Sequence, residues 1–99
     1  MKLPLQCKSI EEIRKVIDLI DQEVISLLGE RYKYVKEIIK FKEPTEESIV
    51  AKDRFNTVIA TRREQAIKAG LDPDLIERIY YELLNYFISE ERKLINKKL

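Results

Sequence analysis

Two charged residues stand where the pattern of this chain asks for apolar ones. Arg31 lies four residues after Leu27 and three before Tyr34; Glu91 lies three after Ile88 and four before Ile95. A buried charge without a counterpart is costly, so each needs a partner or a ligand. One account is that they pair with each other or extend to the edge of the stripe. Lys42 opens another. It follows Arg31 by eleven residues, and eleven helical steps bring two side chains back to one face, about 16 Å apart at Cα. Two long cations leaning toward each other can grip a small dianion. Taken singly, Lys42 is equally at home as a cation favoured at a helix C-terminus. Arg14 is about 25 Å from Arg31 on the same helix, too far for both to touch one small molecule from one chain. In an antiparallel, interwound pair of chains, the Arg14 end of one helix lies beside the Arg31–Lys42 half of the other. Arg54, one turn before Val58, adds a fourth cation or is a solvated surface charge.

The elements that must position these residues are helices. From Ser9 onward apolar residues fall at Ile10, Ile13, Ile17, Ile20, Val24, Leu27, Tyr34, Ile38 and Phe41, in steps of three and four. Ser9 and Glu12 form a capping-box pattern at the start, and Pro44 biases Glu43 away from helix at the end. The spacing predicts one helix over residues 9–42, about 50 Å long, interrupted only by the poor helix former Gly29. A compact chain of this length has a radius of gyration of about 13 Å, so such a helix outreaches its own domain while carrying an apolar stripe to its end. A second copy of the chain is the economical cover, and a homodimer is expected.

Residues 43–48 read as a polar connection. Ile49, Ala51, Phe55, Val58, Ile59, Arg62 and Ala66 then describe a second helix that stops at Gly70. Glycine followed by Leu71 suits a Schellman ending, and Asp72-Pro73 supplies an N-cap and a first-turn proline. The third helix carries Ile76, Ile79, Tyr80, Leu83, Leu84, Phe87, Ile88, Glu91, Leu94 and Ile95. The expected fold is therefore all-α, with three helices per chain in one domain over residues 1–99, intertwined as a homodimer.

Composition sets the limits of the chemistry. The chain has 99 residues, 44% hydrophobic and 37% charged, with only 2 Gly and 3 Pro, too apolar for disorder and too poor in turn formers for an all-β chain. With no His and a single cysteine, Cys7, neither a His/Cys zinc site nor a histidine-activated nucleophile can be assembled. No metal and no cofactor is expected. Lys+Arg 19 against Asp+Glu 18 leaves a net charge of +1, which offers nucleic acid no basic field. No apolar run approaches the roughly 18 residues a membrane span needs, and no signal-like segment opens the chain. The expectation is a soluble cytoplasmic protein with a reduced cysteine.

These features together resemble a known family. A first helix with IRKVIDLID and ERYKYVKEIIKFK, a polar loop followed by Asp53-Arg54, and a third helix ending SEER are similar to the all-α class of chorismate mutases and, more closely, to the isochorismate pyruvate lyases. The resemblance runs over roughly residues 4–95. Its most specific part is Ile13-Arg14 with Asp18 and Ile20-Asp21, then Arg31 and Lys42 at matching intervals. It implies that Arg14 of the partner subunit and Arg31 bind the two substrate carboxylates. It also implies that Lys42 hydrogen-bonds the ether oxygen, that Arg54 helps position the ring side, and that Glu91 stands where many relatives have a glutamine donating to that oxygen.

Departures within the resemblance favour the lyase. Mutases of this class tend to place a carboxylate directly after the Arg54 position, to accept from the chorismate hydroxyl; here it is Phe55. Three residues before Arg54 they often have Asp, and here it is Ala51. Recognition of a hydroxyl rests on such paired groups. Glu91 points the other way, because some mutases use glutamate there and it donates only when protonated. Both reactions are pericyclic and need no nucleophile or metal, only a dianion held in reactive shape and charge stabilised on the departing oxygen. The alternatives are thus a chorismate mutase making prephenate and, from another class, a non-catalytic helical dimerisation module.

Overall fold

A computed structural model describes residues 1–98, and every regular element in them is helical. The long helix α1 spans Ile10–Ile38, the one-turn helix α2 Glu46–Val50, α3 Lys52–Lys68 and α4 Pro73–Lys98. Short 3-10 turns occupy Pro4–Gln6 and Ile39–Phe41. The all-α class is as expected, with α1, α3 and α4 as the three principal helices.

The chain divides into two compact units, residues 1–34 and the remainder from Val35. In the first, Ser9 caps α1 by accepting from the Glu12 amide at 3.1 Å. The reciprocal half of the capping box is displaced by one residue. Glu12 accepts from the Lys8 backbone N–H at 2.7 Å rather than from Ser9, and its other oxygen meets the Lys2 ammonium at 3.1 Å. The Lys8 amide and then the Lys2 charge hold the Glu12 carboxyl below its ordinary value of 4.5. α1 runs 29 residues straight through Gly29, and none of its residues is buried. Its stripe stands open, with Ile10 64%, Ile17 49% and Leu27 62% exposed.

α1 is shorter than the periodicity predicts. It ends at Ile38, the 3-10 turn follows, and Lys42 has extended backbone, φ −92 and ψ 142. The apolar spacing continues through Phe41 because a 3-10 turn repeats every three residues, one of the two steps an α-helix also uses. Lys42 therefore stands off the helix, and the helical angle that would align it with Arg31 does not apply to it.

The second unit is built around Ile39, Ile49 and Ile95, against which Ile88 and Leu94 pack. Val58, Ala66 and Phe87 are also buried. The polar connection at 43–48 is partly helical. Thr45 caps α2 by accepting from the Ser48 amide at 3.2 Å, and Ser48 in turn accepts from the Glu43 amide at 3.1 Å. The second helix does not run on from Ile49, because Ala51 takes a left-handed conformation, φ 46 and ψ 62, and breaks α2 from α3. The turn at Gly70, φ 77, is the Schellman motif expected: Leu71 N–H donates to Ala66 O at 2.8 Å and Gly70 N–H to Ile67 O at 3.1 Å. Asp72 then caps α4, its Oδ1 accepting from the Asp74 amide at 2.8 Å. Arg63 on α3 reaches Asp74 and Glu77 on α4 at 2.9 and 3.1 Å, locking the hairpin of α3 and α4.

Candidate active site

Phe87, Glu91 and Ile95 form one buried line on α4, each a turn from the next. Glu91 is the one buried charged residue among those described, only 5% exposed. Its counterpart is Lys42. The ammonium donates to Glu91 Oε2 at 3.1 Å, to Oε1 at 3.3 Å and to the Ile49 carbonyl at 3.1 Å. A lysine has three N–H donors, so these three acceptors match its capacity. The extended backbone at Lys42 carries its side chain away from the 3-10 turn toward α4. α2 supplies the carbonyl, and its Ile49 side chain seats α2 on Ile95.

Next in sequence to Glu91, Arg92 reaches across to α2 with two parallel bonds to Glu46, Nε to Oε2 at 3.2 Å and Nη2 to Oε1 at 2.5 Å. The segment from Lys42 to Val50 is therefore pinned to α4 three times: Lys42 to Glu91, Glu46 to Arg92, and Ile49 to Ile95. Spacing alone did not single out Arg92 or Glu46. The acidic first turn after Thr45 was the available signal for α2.

The sequence-predicted site residues divide as follows. Lys42 and Glu91 are brought together. Arg54 is exposed in the first turn of α3, on an open surface hollow of about 680 Å³ lined by Glu46, Glu47, Val50, Ala51 and the first residues of α3. Lys42 and Glu91 are not part of that lining. Arg14 is exposed and Arg31 half-buried on α1, both in the first unit. Phe55, which stands where a hydroxyl-accepting carboxylate was the alternative, packs edge-to-face on Tyr81 with ring centroids 5.3 Å apart. Among the described residues no three His, Cys, Asp or Glu side chains are grouped to hold a metal ion, and no helix is long and apolar enough to cross a membrane.

An ammonium next to a shielded carboxylate, beside a backbone carbonyl, can do one kind of work. It can present a fixed hydrogen-bond donor to an oxygen that gains negative charge, once that oxygen displaces one of the present acceptors. Neither group is set up as a nucleophile.

The family described as chorismate mutase type II matches residues 13–92. An isochorismate pyruvate lyase from Pseudomonas aeruginosa is 33% identical over 93 residues, covering 94% of this chain and 91% of the relative. A bifunctional chorismate mutase/prephenate dehydratase from Aquifex aeolicus is 30% identical over 88% of this chain. The T-protein of Haemophilus influenzae is 29% identical over 87% of it. In these two the match spans only 25% and 23% of the longer relative.

Proposed function

The chain belongs to the chorismate mutase type II family, and on that footing we propose that it is an isochorismate pyruvate lyase, eliminating pyruvate from isochorismate to leave salicylate. The observation that carries this reading is the 33% identity, over nearly the full length of both chains, to a protein named for that reaction. Phe55 supports it. Its ring is engaged with Tyr81, so the position offers no acceptor for the chorismate hydroxyl.

In the proposed reaction the ether C–O bond breaks as a ring hydrogen passes to the enolpyruvyl methylene, within one cyclic array of electrons. The protein has to fold the dianion into the reactive shape and stabilise charge on the departing oxygen. Lys42 is the donor to that oxygen, which takes the place of a Glu91 oxygen in the ammonium's shell. Glu91, when it carries a proton, donates to the same atom. Arg31 and the partner subunit's Arg14 hold the two carboxylates, and Arg54 steers the ring. The matched region crosses both compact units, in keeping with one domain that works as a homodimer. The open apolar stripe of α1 favours the homodimer, since apolar faces of this extent are ordinarily covered. A cytoplasmic location fits such a protein.

The mutase reaction, chorismate to prephenate, is the second reading, favoured by the family description and the bifunctional Aquifex aeolicus relative. Supplying purified protein with isochorismate and chorismate separately, and following salicylate and prephenate, tests both. Salicylate formation at the higher kcat/KM is the expected result. Prephenate alone reverses the assignment, and neither product leaves the dimerisation module. Light scattering tests the homodimer, and a monomer refutes a site that borrows Arg14.

A further inference from the structure

Lys42 donates to three acceptors, and the function proposed above requires it to surrender at least one carboxylate oxygen of Glu91 to substrate. At that moment one of the three attachments of the Lys42 segment to α4 is weakened. The attachment of Ile49 to Ile95 is apolar and without direction. The remaining one is directional, because the planar Arg92 guanidinium meets both oxygens of Glu46. Glu46 is the first residue of α2, and α2 supplies the Ile49 carbonyl that accepts a hydrogen bond from Lys42. We propose that Arg92, through its two-pronged grip on Glu46, is a positioning residue that keeps α2, and with it the Lys42 ammonium, in register while substrate replaces Glu91. The inference rests on the lyase or mutase reading for the substrate and for its displacement of Glu91, whereas the grip of Arg92 on Glu46 stands without it.

The pair is largely exposed, with side chains 43% and 66% accessible, so it adds little to global stability. Its effect falls instead on how often the segment occupies the competent position. A competent fraction reduced to about a third raises the apparent KM about threefold while leaving kcat near its original value, because substrate binding selects the competent state.

The test compares wild type, Arg92→Ala, Glu46→Ala, the double alanine variant and the charge-reversed pair Arg92→Glu with Glu46→Arg. Hydrogen exchange at the Ile49 and Ala51 amides, whose bonds to Thr45 O and Glu47 O close α2, reports the segment without any substrate. Exchange about threefold faster in each single variant, a thermal midpoint little changed, a KM raised about threefold with kcat near that of wild type, a double variant no worse than either single one, and partial recovery on charge reversal is the expected set. Unchanged exchange overturns the grip. Faster exchange with unchanged KM overturns the positioning role and leaves a local structural bond. Wild-type protein that converts neither isochorismate nor chorismate overturns the proposed reaction, while the exchange comparison still decides the grip.

Discussion

Replacing Lys42 by Met removes a charge from one side of a shielded pair, and the cost can be worked from the geometry. The ammonium lies 3.1 Å from Glu91 Oε2, and the two side chains are 17% and 7% exposed. At an effective dielectric near 20 the attraction at this distance is about 5 kcal/mol before desolvation. Removing one member of a buried pair ordinarily costs about 3–5 kcal/mol. Water at the exposed part of Lys42 places Lys42→Met near the lower end, about 3 kcal/mol at neutral pH. Stability of about 5–15 kcal/mol is usual for a domain, so the variant remains folded but measurably weaker. Adding Glu91→Leu removes the stranded carboxylate and should return stability to within about 1 kcal/mol of wild type, a coupling of about 2 kcal/mol or more. Urea unfolding followed by circular dichroism, at one fixed protein concentration, reads these differences. Turnover should separate from stability. Both variants should lose about 10²–10³ in kcat, since neither has the fixed ammonium donor for the departing oxygen. A Lys42→Met protein as stable as wild type, or a double variant weaker than the single one, refutes the paired-charge account. Near-normal turnover in either refutes the catalytic one.

Glu91→Gln retains an acceptor for Lys42 and adds a permanent donor, so the variant's kcat should match or exceed that of wild type; a large loss of kcat excludes donation to the departing oxygen from this position. Mixing separately inactive Arg14→Ala and Arg31→Ala subunits should restore about a quarter of wild-type activity, because half the reassembled dimers are mixed and each has one intact site of two. No recovery means the two arginines do not serve one site across subunits. Ala51→Gly relieves a left-handed residue and should raise stability by up to about 1 kcal/mol in urea unfolding; a loss shows that the Ala51 methyl is needed. Glu12 has a depressed folded-state pKa, so its contribution is present above the ordinary carboxylate range and is lost as pH falls through the lowered value. The thermal midpoint of Glu12→Gln should therefore lie below wild type at neutral pH and converge with it in acid, whereas a constant offset assigns the effect to something other than charge.

The parts of the fold that were legible are those where single residues fix local geometry. Gly70, Asp72 and Pro73 each allow few conformations, and the turn they form is the one their types demand. Glu91 was legible as a charge that must be answered, because its place in the stripe is apolar on both sides. Its partner was legible only through the resemblance, which sets Lys42 and Glu91 on one oxygen, and not through spacing. Pairing with Arg31 was one of the accounts open to it, and Lys42 is reached through an extended residue and a 3-10 turn that apolar spacing cannot tell from helix. The break at Ala51 was equally hidden, since alanine gives no sign of a left-handed backbone that tertiary contacts impose on it. The 43–48 connection looked like loop because Glu and Ser are common there, yet Thr45 with Ser48 three residues on is a helix start.

Lys42 and Glu91 are separated by 49 positions along the chain, and Glu46 and Arg92 by 46. Both bonds join the segment after α1 to the last stretch of α4, so a ribosome must release α4 before either forms. Local helices can appear early, but bringing such distant partners together carries the loop-closure entropy of long-range contacts. In a refolding time course, helical ellipticity should therefore return ahead of turnover, and the lag between them measures the docking of the final helix.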